Sequence, residues 1–195
     1  MKPPPFAYFA PGSLQEATLL LAEHGDDAKV IAGGQSLIPL LSLRLARPSV
    51  LVDLNGIDEL FIVDSGAEAT TIGAMTRHRS VERSGVIART VPLLAAAVPY
   101  IGHVAIRSRG TVGGSLSHAD PAAELPAVAL ALDATFTACT AKGERQITAG
   151  DFFAGYFTTT LEPDEVLSSV RFPNAPAGTG VSVQEMARRH GDFAM

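Results

Sequence analysis

Two short glycine-bearing stretches carry the residues most able to do chemistry. Ala32-Gly33-Gly34-Gln35-Ser36 follows an apolar run and precedes a helical pattern. Adjacent glycines let consecutive N–H groups turn toward one concavity, and they admit a phosphate without a Cβ clash. A helix opening near Ser36 adds unsatisfied N–H donors and the positive end of its dipole. The spacing is neither the dinucleotide G-x-G-x-x-G fingerprint nor a Walker loop. The second stretch, Arg109-Gly110-Thr111-Val112-Gly113-Gly114-Ser115, brings another glycine pair, the hydroxyls of Thr111 and Ser115, and the charges of Arg107 and Arg109. Each stretch alone is also explained as a tight bend, the second with surface arginines. As a pair they suit a buried diphosphate, whose charge must be neutralised or hydrogen-bonded, here mostly by backbone donors.

Asp120-Pro121-Ala122-Ala123-Glu124-Leu125-Pro126 follows closely. Asp120 with Pro121 reads as a helix N-cap and first-turn proline. Glu124 can accept hydrogen bonds from ribose hydroxyls, or serve as a first-turn acid favoured by the helix dipole. The histidines at 24, 78, 103, 118 and 190 show no i, i+4 metal spacing, which points to solvated or structural roles. Arg77-His78-Arg79 is a small basic cluster, read as solvated surface or a subunit contact. Cys139 is expected to be a buried, unreactive thiol.

Composition narrows the classes. The chain has 195 residues, 47% hydrophobic and 18% charged, which is ample for a buried core in one large domain or two small ones. Fifteen Lys+Arg against 20 Asp+Glu give a net charge of −5, which argues against a nucleic-acid-binding face. Aromatics at 6%, with no tryptophan, also disfavour a base-stacking platform. One cysteine excludes an internal disulfide and any thiolate-held zinc or iron–sulfur site built from this chain alone. Met1-Lys2-Pro3-Pro4-Pro5 cannot form the apolar stretch of a signal peptide. The longest apolar run, Val91 to Ile101, is broken by Pro92 and Pro99 and falls short of the ~20 residues a span requires. No membrane insertion and a cytoplasmic location are expected.

The elements that must position these groups are legible in outline. Ser13-Leu14-Gln15-Glu16 predicts a capping box opening a helix that ends at Gly25. Ala28–Ala32 predicts a buried strand, Ser36–Leu45 a helix, and Ser49–Leu54 a second strand. Glu59–Val63 and Ala69–Ala74 predict a hairpin turning through Asp64-Ser65-Gly66. Helices are expected near Ser80–Arg83 and Val91–Val98, then a glycine loop over 110–114 and a helix from Asp120. Residues 134–170 read as strands with turns at Lys142-Gly143 and Pro163-Asp164, and Val181–Met186 begins like another strand. A boundary is expected near Asn55-Gly56.

Taken in order, Ala32-Gly33-Gly34-Gln35-Ser36-Leu37, Arg107 to Ser115 and Asp120 to Pro126 resemble the FAD-binding medium subunit of molybdenum hydroxylases, the xanthine dehydrogenase and aerobic carbon monoxide dehydrogenase family. The resemblance runs from the proline-rich start through Arg188-Arg189-His190-Gly191-Asp192-Phe193-Ala194. It implies an α+β fold, the two-lobed FAD-binding domain of the vanillyl-alcohol-oxidase (PCMH) type. A small N-terminal α/β lobe would span 1–56. A larger lobe with a mixed or antiparallel sheet and helices would span 57–175, and 176–195 would start a C-terminal subdomain that is cut short. In that reading Val30, Ile31, Ala32, Gly33, Gly34, Gln35, Ser36 and Leu37 cradle the diphosphate, and Thr111, Gly113, Gly114 and Ser115 hold it from the second lobe. Glu124 stands near the ribose or adenosine, Ile101 and His103 beside the flavin, and Leu167 at a late apolar contact. Gln184 and Glu185 occupy the place of a lysine that some members carry near the flavin, so no cationic flavin contact is carried over.

The resemblance also implies a division of labour. A molybdenum large subunit oxidises the substrate, and an iron–sulfur small subunit relays electrons to FAD on this chain. FAD hands them to an acceptor such as NAD+ or a quinone, and no residue here acts as acid, base or nucleophile. The single cysteine agrees, since the clusters must then sit on a partner. The alternative is a truncated, non-catalytic assembly module that docks to the partner subunits with weak or no FAD binding. A self-contained flavin reductase, such as an enolpyruvyl-sugar reductase, would need its own substrate domain after residue 195.

Overall fold

The computed structural model describes residues 2–195. Its first part runs β1 (Ala7–Phe9), α1 (Leu14–His24), β2 (Ala28–Ile31), α2 (Leu37–Ser42) and β3 (Val50–Asp53). Ser13 caps α1, its hydroxyl accepting from the Glu16 N–H at 3.2 Å, and Gly25 ends the helix at φ 52°. The Glu16 carboxylate reaches one residue further back than a capping box requires, accepting from the Gly12 N–H at 2.9 Å. The strands form a parallel sheet in the order β1-β3-β2. Val50, Leu51 and Val52 of the central strand are all buried, as expected where a parallel sheet is covered on both faces. β1 escapes the hydropathy reading because it is short, exposed and flanked by prolines. It forms because β3 offers an open parallel edge.

The second part opens with β4 (Val63–Ser65) and β5 (Ala69–Gly73). The expected hairpin is present but shifted, since Asp58–Phe61 coils into a 3-10 turn and the first strand begins only at Val63. Six short helices follow: α3 (His78–Arg83), α4 (Gly85–Thr90), α5 (Pro92–Ala97), α6 (Val104–Arg109), α7 (Val112–His118) and α8 (Glu124–Ala131). Then come β6 (Thr135–Thr140), β7 (Gly143–Thr148), α9 (Ala149–Phe152), β8 (Phe153–Gly155), β9 (Thr158–Thr159) and β10 (Val166–Pro173). The main sheet is antiparallel in the order β4-β5-β10-β6-β7.

Two cores result. The larger joins Ile72, Phe136, Val170 and Phe172 of the sheet to Val81, Leu94, Leu116 and Val128 of the helices. Phe136 and Phe152 stack within it at 4.0 Å between ring centroids. The smaller gathers Ala17, Leu21, Val50 and Val52 with Leu60, Met75 and Val166, so α1 is wedged against both sheets. A bulge between Leu167 and Ser169 makes this sharing possible: it lets Val166 join the smaller core while Leu167, Val170 and Phe172 join the larger. Among the described residues Val181–Met186 forms no strand; Val183 packs against the larger core and its carbonyl accepts from the Tyr100 hydroxyl at 3.4 Å instead. No helix among the described residues is long and apolar enough to cross a membrane.

Candidate functional site

The first glycine segment leaves the end of β2. Val30 and Ile31 are half-buried strand residues in register with Val52 and Asp53, and they deliver the turn that follows. Gln35 braces that turn by donating from Nε2 to the Gly33 carbonyl at 3.1 Å, and Gly34 sits at φ 73°. Among the described residues, the N–H groups of 33 through 37 find no acceptor in the chain, backbone or side chain. Gln35 and Ser36 are exposed and Gly34 and Leu37 half-buried, so the donors of 34–37 sit at the surface, whereas Gly33 is buried against the second segment. The helix behind them is shorter than expected, ending at Ser42, so it is the donors themselves rather than a long dipole that this segment offers.

The second segment is built differently from the loop expected. Gly113 and Gly114 lie in the first turn of α7, with Thr111 as N-cap accepting from the Gly114 N–H at 3.1 Å. Val112 and Gly113 donate to the carbonyls of Thr76 and Ala74 at 3.0 and 2.8 Å, and Ser115 donates to Thr111 at 3.1 Å. These amides are therefore engaged within the chain. Among the described residues, the Thr111 N–H and the Ser115 hydroxyl are left without a chain acceptor. Glycine is needed at 113 for packing, because a Cβ there would stand 2.4 Å from the Ala74 Cβ. The two segments do meet: the Gly33 Cα rests on the Arg109 carbonyl, and Gly114 faces Ala32.

His78 supports this junction from beneath. Its Nε2 lies 2.8 Å from the Thr111 carbonyl and donates to it, which leaves Nδ1 as a buried acceptor without a donor. The ring is only 4% exposed, and burial pushes its pKa down to about 4, the charges of Arg107 and Arg77 adding to that against the Thr111 carbonyl. Between its ordinary 6.5 and about 4, the unfolded chain binds a proton that the folded chain refuses. Stability from this group is therefore fully present above pH 6.5 and is lost as pH falls toward about 4, by up to ~3 kcal/mol at 1.36 kcal/mol per unit. A His78→Gln chain is expected to show a flatter fall in urea midpoint between pH 7 and pH 5 than the parent. Equal slopes would refute the assignment.

The remaining site residues are placed apart from this junction. Ile101 is buried and His103, the N-cap residue of α6, is exposed and makes no side-chain cap. Glu124 opens α8, half-buried; burial pushes its carboxyl up, and the charges of Glu185 and Asp120 push the same way. Leu167 is 5% exposed and packed in the larger core. Asp120 is not the N-cap of α8, a position taken by Ala123; its carboxylate instead accepts from the Ala122 N–H at 2.9 Å in a local turn. Cys139 is buried, its thiol pushed up by that burial. Among the described residues, no group of three His, Cys, Asp or Glu side chains could hold a metal ion.

The basic cluster at 77–79 corrects the surface reading. His78 is buried, Arg77 turns inward toward Asn55 and the Arg109 carbonyl, and only Arg79 pairs outward, with Glu82 at 2.7 Å. Nothing in residue type marked Asn55 as the partner of Arg77, and Arg77 was legible only as one of a basic cluster. A run of adjacent free amides at a turn, braced against a second polar segment, can bind the oxygens of a diphosphate, and the residues present fit that group.

Comparison with known proteins is consistent with this chemistry. Residues 4–175 match the family described as the FAD binding domain in molybdopterin dehydrogenase. The chain is 47% identical to the 6-hydroxypseudooxynicotine dehydrogenase complex subunit alpha of Paenarthrobacter nicotinovorans, over all of this chain and 66% of that protein. It is 40% identical to the carbon monoxide dehydrogenase medium chain of Hydrogenophaga pseudoflava, over 100% of this chain and 68% of that one. Among solved structures, carbon monoxide dehydrogenase from Hydrogenophaga pseudoflava superposes with a TM-score of 0.97 at 41% identity, covering all of this chain and 68% of the other. Quinoline 2-oxidoreductase from Pseudomonas putida 86 gives 0.93 at 44%, covering all of this chain and 67% of the other. The chain thus spans about two thirds of the length of the relatives it matches. With an α+β fold, a run of free amides suited to a diphosphate and a match across most of its length, the chain belongs to the FAD-binding domain family of molybdopterin dehydrogenases.

Proposed function

We propose that this chain is the FAD-carrying electron-transfer part of a molybdenum-containing dehydrogenase. It takes electrons from iron–sulfur clusters on a small partner subunit, which receives them from a molybdenum large subunit, and passes them to an acceptor such as NAD+ or a quinone. The single observation that carries the reading is the run of unpartnered N–H groups over 33–37 at the seam between the two glycine segments. When bound, FAD supplies the redox chemistry. This chain's residues supply binding and orientation. The 33–37 amides, with the hydroxyl of Ser36, take the diphosphate oxygens from one side. The N–H of Thr111 and the hydroxyl of Ser115 take them from the other, at the spacing that Gly113 and Gly114 permit. Glu124 accepts from the ribose, and Ile101, His103 and Leu167 shape the flavin end. A chain with one cysteine leaves cluster ligation to a partner.

Titration with FAD tests this directly. Quenching of flavin fluorescence is expected, together with a rise in Tm that grows with ligand. At a hundredfold excess over Kd the stabilisation is about 2.7 kcal/mol. A folded chain that neither quenches FAD nor gains Tm at 1 mM would overturn the proposal.

A further inference from the structure

We infer that Arg77, with Asn55 as its relay, is the positioning residue that sets the width of the diphosphate cleft by tying the two glycine segments together across their seam. This rests on the FAD reading above, and the geometry is specific. One guanidinium bonds both sides: Nη1 donates to the Arg109 carbonyl at 2.5 Å, and Nη2 donates to the Asn55 Oδ1 at 2.6 Å. Asn55 passes the link on, its Nδ2 donating to the Ala32 carbonyl at 2.9 Å. The two backbone carbonyls at the ends of this strut, Ala32 and Arg109, flank the point where Gly33 touches Arg109.

The relay is itself held. Asp53 accepts from the Asn55 N–H at 2.8 Å and from its Nδ2, and Tyr8 donates its hydroxyl to the other Asp53 oxygen at 2.5 Å. The strut is thereby anchored to β3 and, through Tyr8, to the edge strand β1. The guanidinium carbon lies 5.7 Å from the centroid of the Phe61 ring, within cation–π range. A planar fork with two donors in fixed relation can span the seam, whereas an ammonium on a flexible stem can reach only one side at a time. Both terminal nitrogens are engaged by the chain, so Arg77 acts through the glycine segments rather than by touching the ligand.

The test compares Arg77→Met, Arg77→Lys, Asn55→Ser and the Arg77→Met/Asn55→Ser double variant with the parent. Arg145→Met serves as control, because Arg145 makes a comparably short contact, an ion pair with Glu165 at 2.6 Å, away from the seam. FAD Kd is read by flavin fluorescence at a temperature where every chain is folded, and amide hydrogen exchange is read without FAD. Each single variant is expected to raise Kd about tenfold or more, the double variant little further, as members of one linkage behave. Arg77→Lys is expected to recover only part of the loss. Arg145→Met is expected to lower Tm while leaving Kd within about twofold of the parent. Amides 112–114 are expected to exchange about tenfold faster in Arg77→Met. Parent-like Kd and exchange in Arg77→Met, or strictly additive losses in the double variant, would overturn the strut. Should Arg77→Met fail to fold, Asn55→Ser and Arg77→Lys decide the question by the same readings. If the parent itself does not bind FAD, the cofactor reading fails, and hydrogen exchange still judges the strut.

Discussion

A Gly33→Ala chain is expected to lose FAD affinity by about a hundredfold and to unfold more readily. A Cβ at 33 would stand 2.3 Å from the Arg109 carbonyl oxygen and 2.8 Å from the Gly110 Cα. Both are backbone atoms, so no side chain can swing aside, and one segment must retreat by roughly an ångström to reach ordinary contact. Overpacking of this kind costs about 1–3 kcal/mol of stability. The larger effect falls on binding, because the displaced segment carries the free amides of 33–37 and hydrogen bonds weaken steeply off-line. A hundredfold loss is about 2.7 kcal/mol, equivalent to one or two bonds to a charged group. Gly180→Ala is the matched control, since nothing lies within 4 Å of a Cβ there, and it should bind as the parent does. Parent-like FAD binding by a folded Gly33→Ala chain would show that the seam does not aim the donors.

Arg107→Met is expected to be the most destabilising single change outside the large core. Arg107 is 6% exposed, and its Nη1 donates to the carbonyls of Pro99, Ile101 and Gly102 at 3.3, 3.0 and 2.9 Å. Its Nε and Nη2 grip Glu82 at 3.1 and 3.2 Å, and together with Arg79 they hold that carboxyl below the usual range. Methionine keeps the bulk but strands three carbonyls and leaves Glu82 with one partner. Breaking a buried pair on one side costs about 3–5 kcal/mol. At 2–4 °C per kcal/mol, Tm should fall by about 10 °C. The turn it fastens carries Ile101 and leads to His103, so both should become more mobile with it. A fall of less than about 2 °C in Tm would contradict this account.

How much of this was legible in the sequence depends on whether the signal was local. The cap at Ser13, the turn at Gly25 and the apolar runs before Gly33 and through Val52 each carry their cause within a few residues, and α1, β2 and β3 form where expected. The glycine stretch at 110–114 misled because glycine disfavours helix. Here the Thr111 cap and the burial of Val112 and Leu116 override propensity, and the missing Cβ is what lets the helix sit on Ala74. The site was half legible. Adjacent glycines marked both segments, but not that the first keeps a run of amides free while the second keeps only that of Thr111. The link from Arg77 to Asn55 and Ala32 gave no signal, since its bonds join residues 22 or more apart, and Arg77 read only as part of a surface basic cluster. β1, at three residues, exists through its neighbour rather than through its own pattern.

The place of β10 in the main sheet has a consequence for the order of assembly during synthesis. The strand inserts between β5 and β6, and Thr70 bonds Asn174 across 104 residues of chain. A ribosome delivers the three parallel strands early, whereas the hairpins β4–β5 and β6–β7 each wait with an open edge until residue 173 has emerged. Long-range pairing of this kind is slow, and a waiting edge is exposed to wrong partners. The Ala74 N–H donates to the Ser168 carbonyl at 2.8 Å, and Ala74 is the seat of Gly113. The glycine helix therefore gains its full seat only after β10 has paired, so the junction of the two glycine segments is expected to close after residue 173 has emerged rather than with the first hairpin.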